Sequence, residues 1–307
     1  MSASAIAVIG SVAFDTLETP AGRADDELGG SATHFAVAAS FFAPVHLVAP
    51  IGDDFPSAAR DYLVGRGIDC AGLEQRSGRT FRWHGRYHED MNKRDTIALD
   101  LGVFAGFAPR VSDAIRKAPY VFLGNIDPTL QKGVLDQFGG ARLVGLDTMN
   151  HWIAEARGPL EALLARIDLL VINDEEAREL AGVDNVSRAA RKILALGTKR
   201  VLIKRGEYGA ILFSGDSVFA VPAFPLEEVF DPTGAGDTFA GGLMGYLAAT
   251  GDADEANLRR AIVHGTVLAS FVVEDFGGRR MRTLTRDDIE RRYRQFVSLT
   301  SFDVTSV

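Results

Sequence analysis

The 307-residue sequence has one cysteine, Cys70, so it offers neither an intramolecular disulfide nor a multi-cysteine zinc site, and a reducing compartment is expected. Cys70 itself reads as a small packed residue. Positive charge is also short. Lys and Arg number 33 against 41 Asp and Glu, a net charge of −8, which argues against a nucleic acid held through its phosphates. The one basic cluster, "RRYRQF" (291–296), reads as the solvated side of a helix whose apolar side carries Ile289, Tyr293 and Phe296. Long apolar runs are missing too: none approaches the roughly 18 residues of a membrane-spanning helix. "MSASAIAVIG" has no cationic leader and too short an apolar run for an export signal, so a cytoplasmic location is expected. Two common nucleotide motifs are absent. Counting G-x-G-x-x-G from Gly234 lands on Phe239, and no Gly-Lys precedes Ser or Thr. There is no internal repeat, low-complexity tract or hinge-like linker.

What is present is an alternation of short β-rich runs with helical patterns, the mark of parallel strands joined by crossover helices. Strands are expected at 6–10, 45–52, 120–126, 142–148, 168–173 and 200–206, several of them apolar throughout, as happens when both sheet faces are covered. Helices are expected at 31–43, 55–66, 152–165, 187–196, 236–250 and 254–273. The fold class is therefore α/β, three layers around a mostly parallel sheet.

One region breaks the alternation. "TFRWHGRY" (80–87) alternates Phe81, Trp83, Gly85 and Tyr87 with Arg82, His84 and Arg86, the period of a half-exposed antiparallel strand. A small β-sheet lid built from 12–28 and 74–104 is expected beside a core of 1–11, 29–73 and 105–307. The same period argues against zinc at His84 and His88, which read as exposed lid residues.

"FDPTGAGDTFAGG" (230–242) follows a strand-like segment and opens an amphipathic helix. The amides of Gly234, Ala235, Gly236 and Asp237 would lack intrahelical partners, and with the helix dipole they attract anions. Glycine at 234 and 236 lets a phosphate approach the backbone. Asp237 stands where a carboxylate would take a proton from a hydroxyl aimed at that phosphate, although it would also serve as a helix-start acid.

"DPTGAGDTFAGG" resembles the C-terminal signature of the ribokinase-like (PfkB) carbohydrate and nucleoside kinases, and the resemblance spans nearly the whole chain. It implies Asp237 as catalytic base and Gly234, Ala235 and Gly236 as the amides that steady the transferring phosphoryl group, in keeping with a reaction governed by positioning and charge. "NDEE" matches the family's N-x-x-E motif, implicating Asn173 and Glu176 in holding magnesium through water; an Asn cap and an acidic first helical turn explain the tetrapeptide equally well. "KRGEYG" resembles the nucleotide-side loop, with Lys204, Gly206 and Gly209 against ATP, and a hairpin turn into "AILFSG" is compatible with that. "HGTVLASFVVEDFGG" resembles the segment that closes over adenine, with His264 lining it. The resemblance also implies a potassium-like ion near Asp231 and Thr233.

On the acceptor side, "GSVAFD" resembles the strand end whose aspartate binds substrate hydroxyls, which points to Asp15. "GGSATHFAVAAS" resembles the Gly-Gly segment entering a helix, bringing Gly29 and Gly30 to the substrate. The family's usual asparagines are His34 and Ala13 here, and those departures separate sugar specificity from the motif match. Asn125, Asp127 and Asp147 lie at expected strand C-termini, where α/β sheets place ligands. Met149 and Trp152 would add an apolar wall, and Arg94 would face the pocket from the lid.

The reading is an ATP- and magnesium-dependent kinase that phosphorylates a hydroxyl of a small sugar or sugar-like molecule. A nucleoside is the alternative acceptor, for which Phe14, Phe35 and Trp83 would form an aromatic clamp. A nucleotide-binding regulator without turnover is the alternative from another class. Apolar lid positions such as Phe81, Trp83 and Tyr87 would cover substrate or pair two subunits, and a homodimer through the lid is expected.

Overall fold

The apolar runs fold as strands covered on both faces. The computed structural model describes residues 3–303. In chain order the strands are β1 (Ile6–Ile9), β2 (Ala13–Thr19), β3 (Gly22–Gly29), β4 (Val45–Ile51), β5 (Ile68–Gln75), β6 (Phe81–Tyr87), β7 (Arg94–Asp100), β8 (Tyr120–Leu123), β9 (Leu143–Leu146), β10 (Leu169–Asn173), β11 (Arg200–Lys204), β12 (Ala210–Ser214) and β13 (Ser217–Val221). The helices are α1 (Ser31–Ala39), α2 (Ser57–Gly65), α3 (Pro128–Leu135), α4 (Asn150–Glu155), α5 (Arg157–Leu164), α6 (Asp174–Ala181), α7 (Val186–Leu194), α8 (Ala235–Thr250), α9 (Glu255–Val272), α10 (Arg279–Thr283) and α11 (Arg286–Thr300).

A large sheet runs β13-β12-β11-β10-β9-β8-β1-β4-β5, parallel from β5 to β11 and antiparallel through the β12–β13 hairpin. Alternate residues of each strand enter opposite layers. Ile6, Val8, Leu169 and Val171 join the core under α1, α8 and α9, while Ala7, Ile9, Leu170 and Ile172 join the core under α3, α5, α6 and α7. From β1 the chain builds outward to β4 and β5, then returns to β8 on the other side. That reversal makes a crevice at the carboxyl ends of β1 and β8, where open α/β sheets bind ligands.

The second sheet, β3-β2-β6-β7, stands outside the first. The expected strand over 80–87 is present as β6, but it is antiparallel only to β7 and runs parallel to β2. Side-chain alternation reports burial and cannot report the direction of a neighbour; the chain reaches β6 from β2 only after passing through the large sheet, a crossover that favours a parallel pair.

Other differences are local. The helix expected over 152–165 is two, broken at Ala156 (φ −131°, ψ 33°), because the Pro159 ring would meet the carbonyl four residues back in a continuous helix. β5 and β13 were not expected: "IDCAGLEQ" and "SVFAV" mix exposed and buried positions because they are the two edges of the sheet. No described helix is long and apolar enough to cross a membrane.

Candidate active site

Three neighbouring strands end side by side. Asp147 follows β9, Asn173 ends β10 and Lys204 ends β11, where it is the register partner of Asn173. The start of α8 lies against them. A Cβ added to Gly236 would stand 2.7 Å from the Lys204 Nζ. Gly234 caps that helix in the left-handed region (φ 73°) with no side-chain cap. Of the four expected amides, that of Ala235 already donates to the Pro232 carbonyl at 3.1 Å and that of Asp237 turns toward its own carboxylate. Gly234 and Gly236 keep amides with no protein acceptor among the described residues, so the anion-attracting element is narrower than the four-residue stretch.

Charge here is uneven. Burial pushes the Asp237 carboxyl up to about 7, and Asp147 adds to the rise, while Lys204 and Arg94 oppose it. Glu176 is lifted to about 7, first by burial and then by Asp147. Asp147 is raised by burial, against the pull of Lys204. Burial works against the Lys204 ammonium, yet Asp147, Glu176 and Asp237 outweigh it and hold the group above its ordinary range. Asn173 and Glu176 form a reciprocal cap on α6: Asn173 Oδ1 accepts the Glu176 N–H and Glu176 Oε2 accepts the Asn173 N–H, both at 2.8 Å. The second Glu176 carboxylate oxygen makes no hydrogen bond to any described residue, so the cap aims it without consuming it.

At the sheet's switch point, Asp15 is buried in β2 and accepts the Gly30 N–H. Burial, Asp231 and Asp237 raise its carboxyl to about 8, so it is protonated at neutral pH in the free protein. Gly29 is required for this contact, since a Cβ there would overlap the Asp15 carboxyl. Gly30 (φ 92°) starts α1, and His34 one turn later packs its ring against the Cα of Gly234. His34 is buried and pushed down to about 4. Its Nε2, the Thr33 hydroxyl and the Thr238 hydroxyl have no partner among the described residues, and all three residues line one cavity of about 20 Å³, room for one water. His34 therefore supports the anion-attracting turn from behind. Asn125 reaches the same edge, but its Oδ1 accepts the Trp152 Nε1–H at 3.0 Å, and Asp127 caps α3 through the Thr129 N–H.

The small sheet touches this assembly directly. The Thr233 hydroxyl and the buried Tyr87 hydroxyl are 3.1 Å apart, and Asn92 lies where a Cβ on Gly206 (φ 54°) would fall. Gly209 (φ 84°) packs against the Val221 carbonyl, a hairpin-fitting role. Asp231 is nearly sealed; its two carboxylate oxygens accept the Thr233 and Gly277 N–H groups, each at 2.9 Å, joining the turn to the segment before α10. His264 is not gathered here. It stacks between Tyr246 and Tyr293 at centroid distances of 4.2 and 4.3 Å, with Phe42 at its edge, so it bonds α9 to α8 and α11. His84 and His88 pair with Glu18 and Asp95. Phe35 is stacked on Phe122 in the core and Phe14 is buried beside Phe55, leaving Trp83 as the accessible member of the aromatic trio. Sequence reasoning missed Tyr87–Thr233 and the partnership of Asp147 with Lys204; no spacing rule links residues so far apart.

The pfkB family carbohydrate kinase model matches residues 4–284. The chain is 34% identical over 248 residues to a cytidine kinase of Thermococcus kodakarensis, covering 78% of this chain and 88% of that one. Its fold is that of an Arabidopsis thaliana ribokinase complexed with ribose and ATP (TM-score 0.75, 23% identity, 95% and 99% of the two chains). It is also that of a putative ribokinase II from E. coli in complex with ATP and magnesium (TM-score 0.76, 21% identity, 95% and 99%).

Proposed function

The chain belongs to the pfkB family of carbohydrate kinases, phosphotransferases with a hydroxyl acceptor, and from that premise we propose that it transfers the γ-phosphoryl group of ATP to a hydroxyl of a small sugar or sugar-like substrate with Asp237 as general base. The observation that carries the reading is a carboxyl at the mouth of α8, lifted to about 7, beside glycine amides that have no other acceptor. A base with that affinity for protons is about half ionised at neutral pH and strong enough to take one from an alcohol as its bond to phosphorus forms. The acceptor oxygen bonds to the γ-phosphorus, the bond from that phosphorus to its bridging oxygen breaks, and the acceptor proton goes to Asp237, leaving ADP and a phosphate ester.

The Gly234 and Gly236 amides take charge that develops on the phosphoryl oxygens, with the α8 dipole behind them. Asp15, Gly29, Gly30 and Asn125 hold the acceptor, and the small sheet excludes competing water. His34 is a positioning residue here rather than a substrate ligand. Lys204, Gly206 and Gly209 form the nucleotide side. The free oxygen of Glu176 and the acidic surroundings suit a magnesium ion held through water with Asn173; when bound, that ion neutralises phosphate charge. A potassium requirement would extend the site to Asp231 and Thr233.

A nucleoside acceptor is favoured by the 34% identity to a cytidine kinase, and Trp83 is the side chain available to face a base. The experiment is an acceptor panel of sugars and nucleosides scored by ADP release with product identification. Turnover on a sugar alone supports the first reading and turnover on nucleosides the second. ATP binding with no turnover on any member would overturn both in favour of a regulator. The exposed Ile97 and Leu99 on edge strand β7 support a homodimer through the small sheet, which sedimentation tests.

A further inference from the structure

Lys204 entered the reading as part of a loop, but its side chain does more than close a strand. Only 18% of that side chain is exposed, and its ammonium makes no hydrogen bond to any described residue. The nearest carboxylate oxygen, Asp147 Oδ2, is 3.6 Å away, beyond hydrogen-bond range. An ammonium has three donors, and with no described protein oxygen in hydrogen-bond range this one holds them open to the crevice, where water or an incoming oxyanion accepts them. At 3.6 Å the attraction to Asp147 keeps the ammonium in place without saturating its donors.

The direction of the ammonium is set by its other neighbour. Nζ lies so near Gly236 that a Cβ there would stand 2.7 Å from it, so it shares one small space with the amides that have no acceptor. Positive donors from β11 and from α8 thus converge on one point, walled by the carboxyls of Asp147, Glu176 and Asp237. Such a convergence suits a tetrahedral oxyanion bearing more charge than a diphosphate terminus presents at that point.

We propose that Lys204 is a catalytic residue whose ammonium contacts the γ-phosphoryl oxygens during transfer, with Asp147 as the positioning residue that holds it over Gly236. The proposal rests on the kinase reading above and adds to it a side-chain charge at the point of transfer. Lys204 therefore distinguishes ATP from ADP, because only ATP carries the oxygens it meets.

The test is calorimetric titration of wild type, Lys204→Met and Lys204→Arg with magnesium-bound ATP and ADP, after thermal unfolding has shown each variant folded. Lys204→Gln replaces any variant that does not fold. The expected result is a loss of ATP affinity of about tenfold or more in Lys204→Met, with ADP affinity held within about threefold and part of the ATP preference kept by Lys204→Arg. Turnover of Lys204→Met should fall by about 10²–10³. Its acid limb should move to higher pH, since the positive charge that restrains the Asp237 carboxyl is gone; a purely structural counterion to Asp147 would not alter the ATP-to-ADP ratio. An unchanged ratio in Lys204→Met, with ATP still bound by wild type, overturns the role of Lys204 alone. Failure of wild type to bind ATP overturns the kinase reading beneath it.

Discussion

Asp237→Asn should slow the enzyme and stabilise the free protein, two effects in opposite directions from one atom pair. The folded protein keeps the Asp237 proton up to about pH 7, whereas an unfolded chain releases it near 3.8. Because the native state binds more protons across that interval, stability falls as pH rises through it, and the whole penalty is present above pH 7. At about 1.4 kcal/mol per pH unit, the displacement sets an upper limit of about 4 kcal/mol at pH 8. Relaxation of the surroundings reduces this, and the Asn variant forfeits about 0.3–1 kcal/mol of helix-dipole attraction at the first turn of α8. A net gain of about 1–3 kcal/mol remains, a rise in melting temperature of about 2–6 °C. At pH 5 only about a third of it should survive, since most of the proton imbalance has yet to develop. The assay is thermal unfolding of wild type and variant at pH 5 and 8, without nucleotide, beside turnover, which should fall by about 10²–10⁴. A variant melting at or below wild type at pH 8 would refute the reasoning: Asp237 would then be a stabilising counterion of Lys204 rather than a strained base.

The kcat/KM profile of the wild type should lose about tenfold per pH unit below 7, as the Asp237 carboxylate is protonated in the free enzyme, and a profile flat down to pH 5 would contradict that assignment. Gly234→Ala places a Cβ in the left-handed region and against the His34 ring, so it should cost about 2–4 kcal/mol in urea unfolding. Adding His34→Ala should return about 1 kcal/mol through relief of the overlap, and strict additivity would speak against contact. Tyr87→Phe removes the hydroxyl that meets Thr233 and should lower kcat/KM about fivefold, the worth of one neutral hydrogen bond; Thr233→Val should do the same, and the double variant should be no worse than either. Fully additive losses in those kinetics would show that the two hydroxyls act separately.

Local rules read much of this protein. Apolar runs such as "IAVIG" and "DLLVIN" marked covered parallel strands because every residue of such a strand is buried, one face or the other. "DPTGAGD" marked a glycine-capped helix start with an acid in its first turn, because free amides, glycine and that acid are all consequences of adjacent residues. Edge strands β5 and β13 escaped because half-exposed segments mix polar and apolar residues without a clean period. His264 was expected near adenine, whereas its helix neighbours turn it into an aromatic stack, a fact that depends on α8 and α11 and not on its own surroundings in the chain.

By itself, then, the sequence determined which apolar runs are covered strands and where most helices lie, where a helix presents unsatisfied donors, and which acid stands among them, since each follows from residues within a few positions of one another. Tertiary structure alone decided that Asp147, Glu176 and Lys204 share a space with Asp237, that His34 braces Gly234, and that Tyr87 reaches Thr233 from the second sheet. Those are pairs from distant parts of the chain. Proton affinities and ion pairing depend on separation in space and on exclusion of water, neither of which exists until the sheet has set its strand ends side by side.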